Sequence, residues 1–280
     1  MQWRGRRESR NIEDRRGMGA AGAGGVGVVG MLAVLAVGYF FGIDISPLVN
    51  QTATTQGQQG ELNAEQREYG EFVGVVLADT ENVWSRVLQE QAGQTYREPS
   101  LVLYSGVTRS ACGGAESAMG PFYCPGDQKV YLDTDFFDYM QRRMGAGGDF
   151  AAAYVIAHEI GHHVQNQLGV LGQVNSLRAR VSQTESNQLS VLTELQADCF
   201  AGIWARQQQD RFGTLEAGDI QEAMRAAEAV GDDVIQSNAG RVPMPDSFTH
   251  GSAEQRQDWF MRGYRSGQIA SCNSFREAGL

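Results

Sequence analysis

The strongest constraint on this 280-residue chain is a cluster of histidines within an apolar segment. Residues 151–169 read AAAYVIAHEIGHHVQNQLG and hold three of the four histidines. In a helix, positions i and i+4 share a face, so His158 and His162 can offer ring nitrogens to one Zn²⁺ ion. Glu159 lies about 100° around such a helix from His158, where it can reach a water beside the metal as general base. The HExxH motif therefore predicts a zinc centre that performs hydrolysis.

A third zinc ligand is expected from the next helical segment, residues 186–209. Glu194 and Asp198 are spaced i, i+4 there and face the same way. A carboxylate pair on an apolar helix is costly to bury unless it meets a cation or hydrogen-bond donors. We therefore expect Glu194 to bind the single zinc ion and Asp198 to accept the second ring N–H of His158. The alternative is a solvated carboxylate pair on an exposed face.

Several motifs in order resemble a known family. HExxH followed by ExxxD on a later helix is similar to the gluzincin pattern of thermolysin-like peptidases. More closely, the motifs HEIGHHVQ, ELQADCFAG, GPFYCP with VYLD, and FTHGS with QR and WF resemble the bacterial putative neutral zinc metallopeptidases. The resemblance covers nearly the whole chain after residue 43. It implies an N-terminal membrane anchor, a zincin-like domain and a peptide or protein substrate.

His250 is a candidate catalytic residue outside the HExxH segment. It precedes a predicted helix that Ser252 can cap, with Gln255 at the capping-box position. The resemblance to gluzincins, which use a distal His or Tyr, implies that His250 stabilises the oxyanion, and a structural loop histidine is the alternative. His163 points away from the HExxH pair and is expected to be packed. Three tyrosines are rival donors: Tyr123, Tyr131 and Tyr154.

The remaining pattern predicts a helix-dominated α+β fold with a small sheet. Short strands are predicted at Ser100–Tyr104 and Val130–Leu132, and an amphipathic helix follows Asn63. After Gly148 the pattern is almost wholly helical. The resemblance to zincins implies that residues 120–125 form an edge strand that lines the cleft and pairs with substrate, although a strand that only packs beneath the helix is equally consistent.

The N-terminal region predicts membrane attachment. Residues 18–43 contain no charged residue and, as a helix, exceed the roughly 30 Å hydrocarbon core of a bilayer. Six arginines precede this segment and favour a cytoplasmic N-terminus. A cleaved signal peptide is the alternative, but the apolar run is long for one. The predicted organisation is a cytoplasmic basic tip, a single transmembrane helix, a polar linker and an extracytoplasmic zinc metallopeptidase domain: 1–17, 18–43, 44–62 and 63–280.

Charge and cysteine content exclude other classes. The net charge of −10 argues against a nucleic-acid partner, and the 42% hydrophobic content excludes wholesale disorder. Four cysteines lack CxxC spacing and suit two disulfides in an oxidising compartment: Cys112, Cys124, Cys199 and Cys272. Cys112–Cys124 and Cys199–Cys272 are the expected bonds, although three pairings exist and free buried thiols are the alternative.

The sequence as a whole predicts a membrane-anchored zinc metallopeptidase with Glu159 as general base. Two other classes remain open. One is a zinc amidohydrolase of the deformylase type, whose third ligand is a cysteine upstream of the HExxH. The other is a non-catalytic envelope scaffold that retains zinc. The oligomeric state is left open.

Overall fold

The computed structural model describes residues 1–16, 62–116 and 120–279, with backbone only at 114–116. The predicted anchor at 18–43 and most of the predicted linker lie outside these ranges. Among the described residues, no helix combines the length and the apolar character needed to cross a bilayer. Membrane anchoring therefore stays a prediction from the sequence.

Strands and helices in the described ranges form an α+β fold dominated by helices, as predicted. The strands are β1 Ile12–Asp14, β2 Ser100–Tyr104, β3 Val107–Ser110, β4 Gly113–Glu116, β5 Phe122–Cys124 and β6 Lys129–Asp133. The helices are α1 Ala64–Ala92, α2 Thr134–Arg143, α3 Asp149–Gln167, α4 Val170–Arg178, α5 Gln183–Phe212, α6 Asp219–Ala229, α7 Asp232–Asn238, α8 Ala253–Ser266 and α9 Ser274–Glu277. Short 3-10 turns occur at Pro245–Ser247 and Ile269–Cys272.

Four strands form one sheet in the order β1-β2-β6-β5. The first three strands are parallel, and β5 pairs antiparallel to β6 with Phe122 opposite Tyr131. A separate antiparallel hairpin consists of β3 and β4. The predicted strands at 100–104 and 130–132 are confirmed as β2 and as part of β6. The predicted segment 120–125 contains β5, which is an edge strand of this sheet.

The long helices begin where side chains can satisfy their first backbone N–H groups. Asn63, Ser182 and Ser252 each form a capping box at the start of α1, α5 and α8 respectively. The predicted cap at Ser252 is therefore confirmed. Helix α3 begins at Asp149, and Gly148 occupies its cap position without a side chain to accept a hydrogen bond.

Helix α3 lies at the centre of the fold and packs against α1, α5 and α6. Its buried residues join one continuous hydrophobic core with α1 and α5. Trp84 of α1 meets Phe200 of α5 edge-on at 5.4 Å, and Phe150 stacks on Trp204 at 5.7 Å. Large aromatic contacts of this kind fix the positions of the helices that carry the histidine motif.

Both expected disulfides are present, Cys112–Cys124 and Cys199–Cys272. The first links the β3–β4 turn to β5. The second joins Cys199, in the middle of α5 and one residue after Asp198, to Cys272 in the C-terminal segment. The C-terminal segment is thereby tied to the helix that carries the predicted carboxylates.

Residues 1–16 were predicted to be a separate basic tip, but in the structure they pack against the rest of the chain. Strand β1 pairs in parallel with β2, placing Ile12 opposite Leu101. Trp3 is buried against Phe72 of α1 at a ring distance of 5.5 Å. These residues, called the N-terminal arm below, belong to the same structural unit as the residues after position 62. We call that second part the body.

Candidate metal centre

Helices α3 and α5 bring three predicted zinc ligands together. Nε2 of His158 lies 3.1 Å from Oε2 of Glu194, and Nε2 of His162 lies 3.5 Å from Oε1. The two imidazole rings meet nearly at right angles with centroids 4.8 Å apart. One ligand atom from each residue falls within 4.8 Å of the others.

Gly161 explains how the two helices approach closely enough. A Cβ at this position would stand 3.0 Å from the carbonyl oxygen of Ala197 and 3.2 Å from its Cα. Contacts this short are tighter than most Cβ contacts, so a larger residue would push the backbone of Ala197 away by a few tenths of an ångström. Because Ala197 lies between Glu194 and Asp198, the glycine lets both carboxylates reach the histidine helix.

Each predicted ligand histidine is oriented by a second side chain. Nδ1 of His158 lies 2.8 Å from Oδ1 of Asp198, the contact expected from the sequence. Nδ1 of His162 lies 2.8 Å from Oε1 of Gln165, a contact the sequence analysis missed. Gln165 is itself fixed by donating to the Thr193 carbonyl at 2.7 Å. Hydrogen bonds at Nδ1 leave Nε2 of both rings directed toward Glu194 as metal-binding atoms.

Arg256 of α8 is the second group that sequence analysis did not assign. Its guanidinium donates two hydrogen bonds to Asp198, at 2.9 Å and 3.0 Å, and its side chain is buried. Tyr154 donates to the same carboxylate at 2.6 Å. Asp198 therefore meets a cation and two further donors, which offsets the cost of burying its charge.

The electrostatics of the centre favour a bound cation. Burial lowers the pKa of His158, but the adjacent Asp198 and Glu194 carboxylates raise it more, to about 10. Burial raises the pKa of Glu194, but the neighbouring His162 and His158 rings outweigh it and hold the pKa well below its ordinary value. The carboxylates thus stay ionised and increase the affinity of the site for positive charge.

The donor set fits zinc. Two neutral imidazole nitrogens and one carboxylate are a known catalytic zinc set, which leaves a fourth position open. Bonds of about 2.0–2.1 Å place tetrahedral ligand atoms roughly 3.3 Å apart. The observed separations of 3.1 Å and 3.5 Å from Glu194 to the two rings bracket that value.

Glu159 points into the same region but has a different environment. It is buried, and burial raises its pKa above the ordinary value, although the His162 and His158 rings oppose this effect. A carboxylate whose pKa is moved toward neutrality can both take and return a proton. The geometry gives Glu159 a different role from His158, His162 and Glu194, which are called the triad below. Its carboxylate is not among the ligand atoms that lie within 4.8 Å of one another.

His250 lies at the rim of the same cleft and is held by Asp232 of α7. Its Nδ1 is 3.1 Å from Oδ1 of Asp232, while Oδ2 accepts hydrogen bonds from the backbone N–H groups of residues 249–251. The hydrogen bond to Asp232 is the main reason that the pKa of His250 is raised, and burial opposes it. A half-exposed imidazole whose cationic form is favoured by Asp232 therefore faces the cleft.

The rival donors are engaged elsewhere. Tyr154 donates its hydroxyl to Asp198, and Tyr131 donates to Asp127 at 2.7 Å. The hydroxyl of Tyr123 contacts Nδ1 of His163 at 3.0 Å. His163 is buried, and its other ring nitrogen lies 2.6 Å from the carbonyl of Arg97. His163 is thus packed away from the triad, which was the expectation from its position on the helix.

The cleft above the triad has a volume of about 680 Å³ and a largely apolar wall. Phe122 of β5, Phe136 and Tyr139 of α2, Val155 of α3 and Ile235 of α7 contribute to that wall. Tyr139 and Ile235 are large apolar side chains that remain exposed. Exposed apolar surface beside polar groups is typical of a binding site.

Comparison with known proteins agrees with this geometry. The family model described as "Putative neutral zinc metallopeptidase" matches residues 1–275. The chain belongs to this family. A member from Escherichia coli K12, named "Uncharacterized protein YpfJ", is 47% identical over 98% of this chain and 99% of its own length.

Further family members occur in mycobacteria. "Uncharacterized protein Rv2575" of Mycobacterium tuberculosis H37Rv is 47% identical over 66% of this chain and 65% of its own length. "Uncharacterized protein Mb2605" of Mycobacterium bovis matches to the same extent. No solved structure matches the chain.

Three residues around the centre were not assigned from the sequence: Gln165, Asp232 and Arg256. Gln165 follows His162 by three positions, so an HExxHxxQ spacing was the available signal for it. Arg256 and Asp232 carried no local signal because their partners are distant in sequence. In this family member, short motifs identify the predicted ligands. Contacts between residues that are distant in sequence position the groups around them.

Proposed function

We propose that this protein is a zinc-dependent peptidase that hydrolyses peptide bonds with Glu159 as general base. The observation that carries the proposal is the convergence of His158, His162 and Glu194 beside Glu159, at the base of a cleft. A single zinc ion per chain would be held by these three residues. Attachment to the cell membrane through residues 18–43 is part of the proposal and is supported by the sequence alone.

The protein's own residues then perform the proton transfers. When bound, zinc supplies Lewis acidity that makes a water more acidic and a carbonyl more electrophilic. Glu159 takes the proton of the attacking water, and burial, which raises the pKa of its carboxyl group, makes it a stronger base for this step. It then passes this proton to the departing amine nitrogen, so the carboxylate is regenerated and the peptide is cleaved by one water.

His250 is placed to stabilise the negative oxygen that forms during attack. Its hydrogen bond to Asp232 favours the cationic ring, which is a strong donor to an oxyanion. Tyr154 is a poorer candidate because its proton is committed to Asp198. We therefore assign the oxyanion role to His250.

The substrate is proposed to be an extended peptide segment. Strand β5 is an edge of the sheet and lines the cleft, so its free side can pair with a substrate backbone. The apolar wall that includes Phe122, Tyr139 and Ile235 would accept the side chains beside the scissile bond. Protein substrates that expose extended, apolar segments fit this surface.

The two other classes are less consistent with the geometry. A deformylase-type enzyme needs a cysteine ligand, but all four cysteines are paired in disulfides. A non-catalytic scaffold has no need for a buried glutamate next to the triad, since such a group costs stability. The presence of Glu159 at that position favours the peptidase.

Metal analysis combined with a digest tests the proposal. We expect the purified full chain to bind one equivalent of zinc and to cleave an unfolded protein such as reduced casein. Removing zinc with a chelator should abolish cleavage, and added zinc should restore it. A chain that holds one zinc yet leaves every unfolded protein intact would instead be the scaffold.

The pH profile tests the role of His250. Below the pKa of His250 the ring is cationic and supports catalysis, and activity falls as pH rises through that pKa. Asp232→Asn removes the main cause of the raised pKa, so the basic limb of the kcat/KM profile should move to lower pH. The measurement is the pH dependence of peptide cleavage for both proteins.

Asp246→Asn is the matched control, because Asp246 is an exposed carboxylate on the loop that precedes His250. Its profile should coincide with that of the unmodified protein. If Asp232→Asn keeps its zinc and its basic limb does not move, His250 has no role as an acid in the reaction.

A further inference from the structure

The N-terminal arm is bound to the body through its backbone as well as its side chains. Arg15 donates its backbone N–H to the carbonyl of Leu103 at 2.7 Å, and Leu101 donates to the carbonyl of Asn11 at 2.8 Å. Ser9 donates to the carbonyl of Gly74 at 2.9 Å. Hydrogen bonds at both ends of β1 therefore fix this edge strand against β2.

Buried charges on α1 find their counterions in the arm. The guanidinium of Arg6 binds both oxygens of Asp79, at 2.6 Å and 2.8 Å. Glu81, equally buried, accepts hydrogen bonds from Arg7, Ser9 and Asn11. Removing one partner from a buried ion pair is strongly destabilising, so the body depends on the arm to complete its core.

The two ends of segment 17–61 meet at one place on the molecule. The guanidinium of Arg16 donates to the carbonyl of Gln66, in the first turn of α1. Leu62 lies just before that turn, and its carbonyl accepts a hydrogen bond from Arg67. The chain therefore leaves the body and returns to it at the start of α1.

We propose that the N-terminal arm and the body lie on the same side of the membrane. A single crossing would place Arg16 and Leu62 on opposite sides of a hydrocarbon core roughly 30 Å thick. That separation cannot coexist with β1 in the sheet or with Arg6 on Asp79.

The two disulfides indicate which side this is. Disulfides persist in oxidising compartments outside the cytoplasm, which places the body there. The arm must then be there too, although its arginines predicted a cytoplasmic position. Five of the six are paired with carboxylates: Arg4 with Glu68, Arg6 with Asp79, Arg7 with Glu81, Arg15 with Glu13 and Arg16 with Asp14. In the folded protein these contacts balance most of the positive charge of the arm.

Cysteine labelling tests the proposal in cells. Single substitutions Arg10→Cys in the arm and Val242→Cys in the body introduce thiols at exposed positions, with Val242 83% exposed. The native cysteines are disulfide-bonded and do not react. Spheroplasts that express either full-length variant are treated with a membrane-impermeant maleimide before and after lysis.

We expect both thiols to be labelled in intact spheroplasts. Labelling of Val242→Cys alone before lysis, with Arg10→Cys reached only afterwards, would restore the single crossing and overturn the proposal. Labelling of both only after lysis would overturn the assignment outside the cytoplasm. A cytoplasmic marker protein that stays unlabelled until lysis controls for leakage.

A charge-deletion pair tests the docking of the arm independently. Arg6→Leu leaves Asp79 buried without its cation, so the melting temperature should fall by roughly 10 °C. Adding Asp79→Leu removes the unpaired charge and should recover most of that loss. An unchanged melting temperature for Arg6→Leu would show that the arm is not docked, and the same-side argument would fail with it.

Discussion

Replacing Glu159 with glutamine is expected to remove peptide hydrolysis while the fold and the zinc ion remain. Glutamine keeps the size of the side chain but cannot accept the proton of the attacking water. General acid–base catalysis contributes about 10²- to 10⁴-fold, and kcat should fall by that order. Cleavage of a quenched fluorescent peptide gives kcat, and metal analysis together with the melting temperature reports zinc and fold.

Glu90→Gln provides a matched control, because Glu90 is an exposed carboxylate on α1 that pairs with Arg86 on the surface. It should leave kcat and zinc content unchanged. Two results on Glu159→Gln would contradict the assignment. Undiminished cleavage would exclude a general base at this position, and loss of zinc would make Glu159 a ligand.

The ligand-bearing part of the centre could be predicted because its information is local. His158 and His162 lie one turn apart, and Glu194 and Asp198 repeat that spacing, so helical periodicity alone fixes which faces carry them. Local sequence pattern alone does not predict that these two helices pack against each other. Gly161 permits this close approach, because a Cβ there would press against the backbone of Ala197.

The supporting groups could not be predicted because their partners are far apart in sequence. Arg256 reaches Asp198 across 58 positions, and Asp232 holds His250 across 18. An arginine or an aspartate in a helix gives no sequence signal of such a partner, since most residues of these types are solvated. The tertiary packing of the helices, and not a local motif, determines which hydrogen-bond partner each of these side chains reaches.

The docking of the N-terminal arm on the body was not predicted, for a related reason. Strand β1 has three residues, Ile12–Asp14, which is too short for an alternating pattern to emerge. The surrounding arginines gave a clear charge signal, and that signal was interpreted as membrane orientation. The buried carboxylates that match it, Asp79 and Glu81, lie more than sixty residues later.

Asp198 has two roles in the centre, and a pair of substitutions should separate them. Asp198→Ala removes the counterion of the buried Arg256, which is only 4% exposed. It also removes the hydrogen-bond acceptor for Nδ1 of His158. We expect the free energy of unfolding to fall by about 3–5 kcal/mol and zinc affinity to fall about 10- to 100-fold.

The double variant Asp198→Ala/Arg256→Leu distinguishes charge balance from orientation of the histidine. Replacing both members of a buried ion pair with apolar groups is often nearly neutral, so stability in urea should largely recover. Zinc affinity, measured by competition with a chelator, should stay low because His158 still lacks its acceptor. If zinc affinity recovers together with stability, Asp198 acts only by balancing Arg256, and the orientation of His158 must come from the packing of α3 against α5.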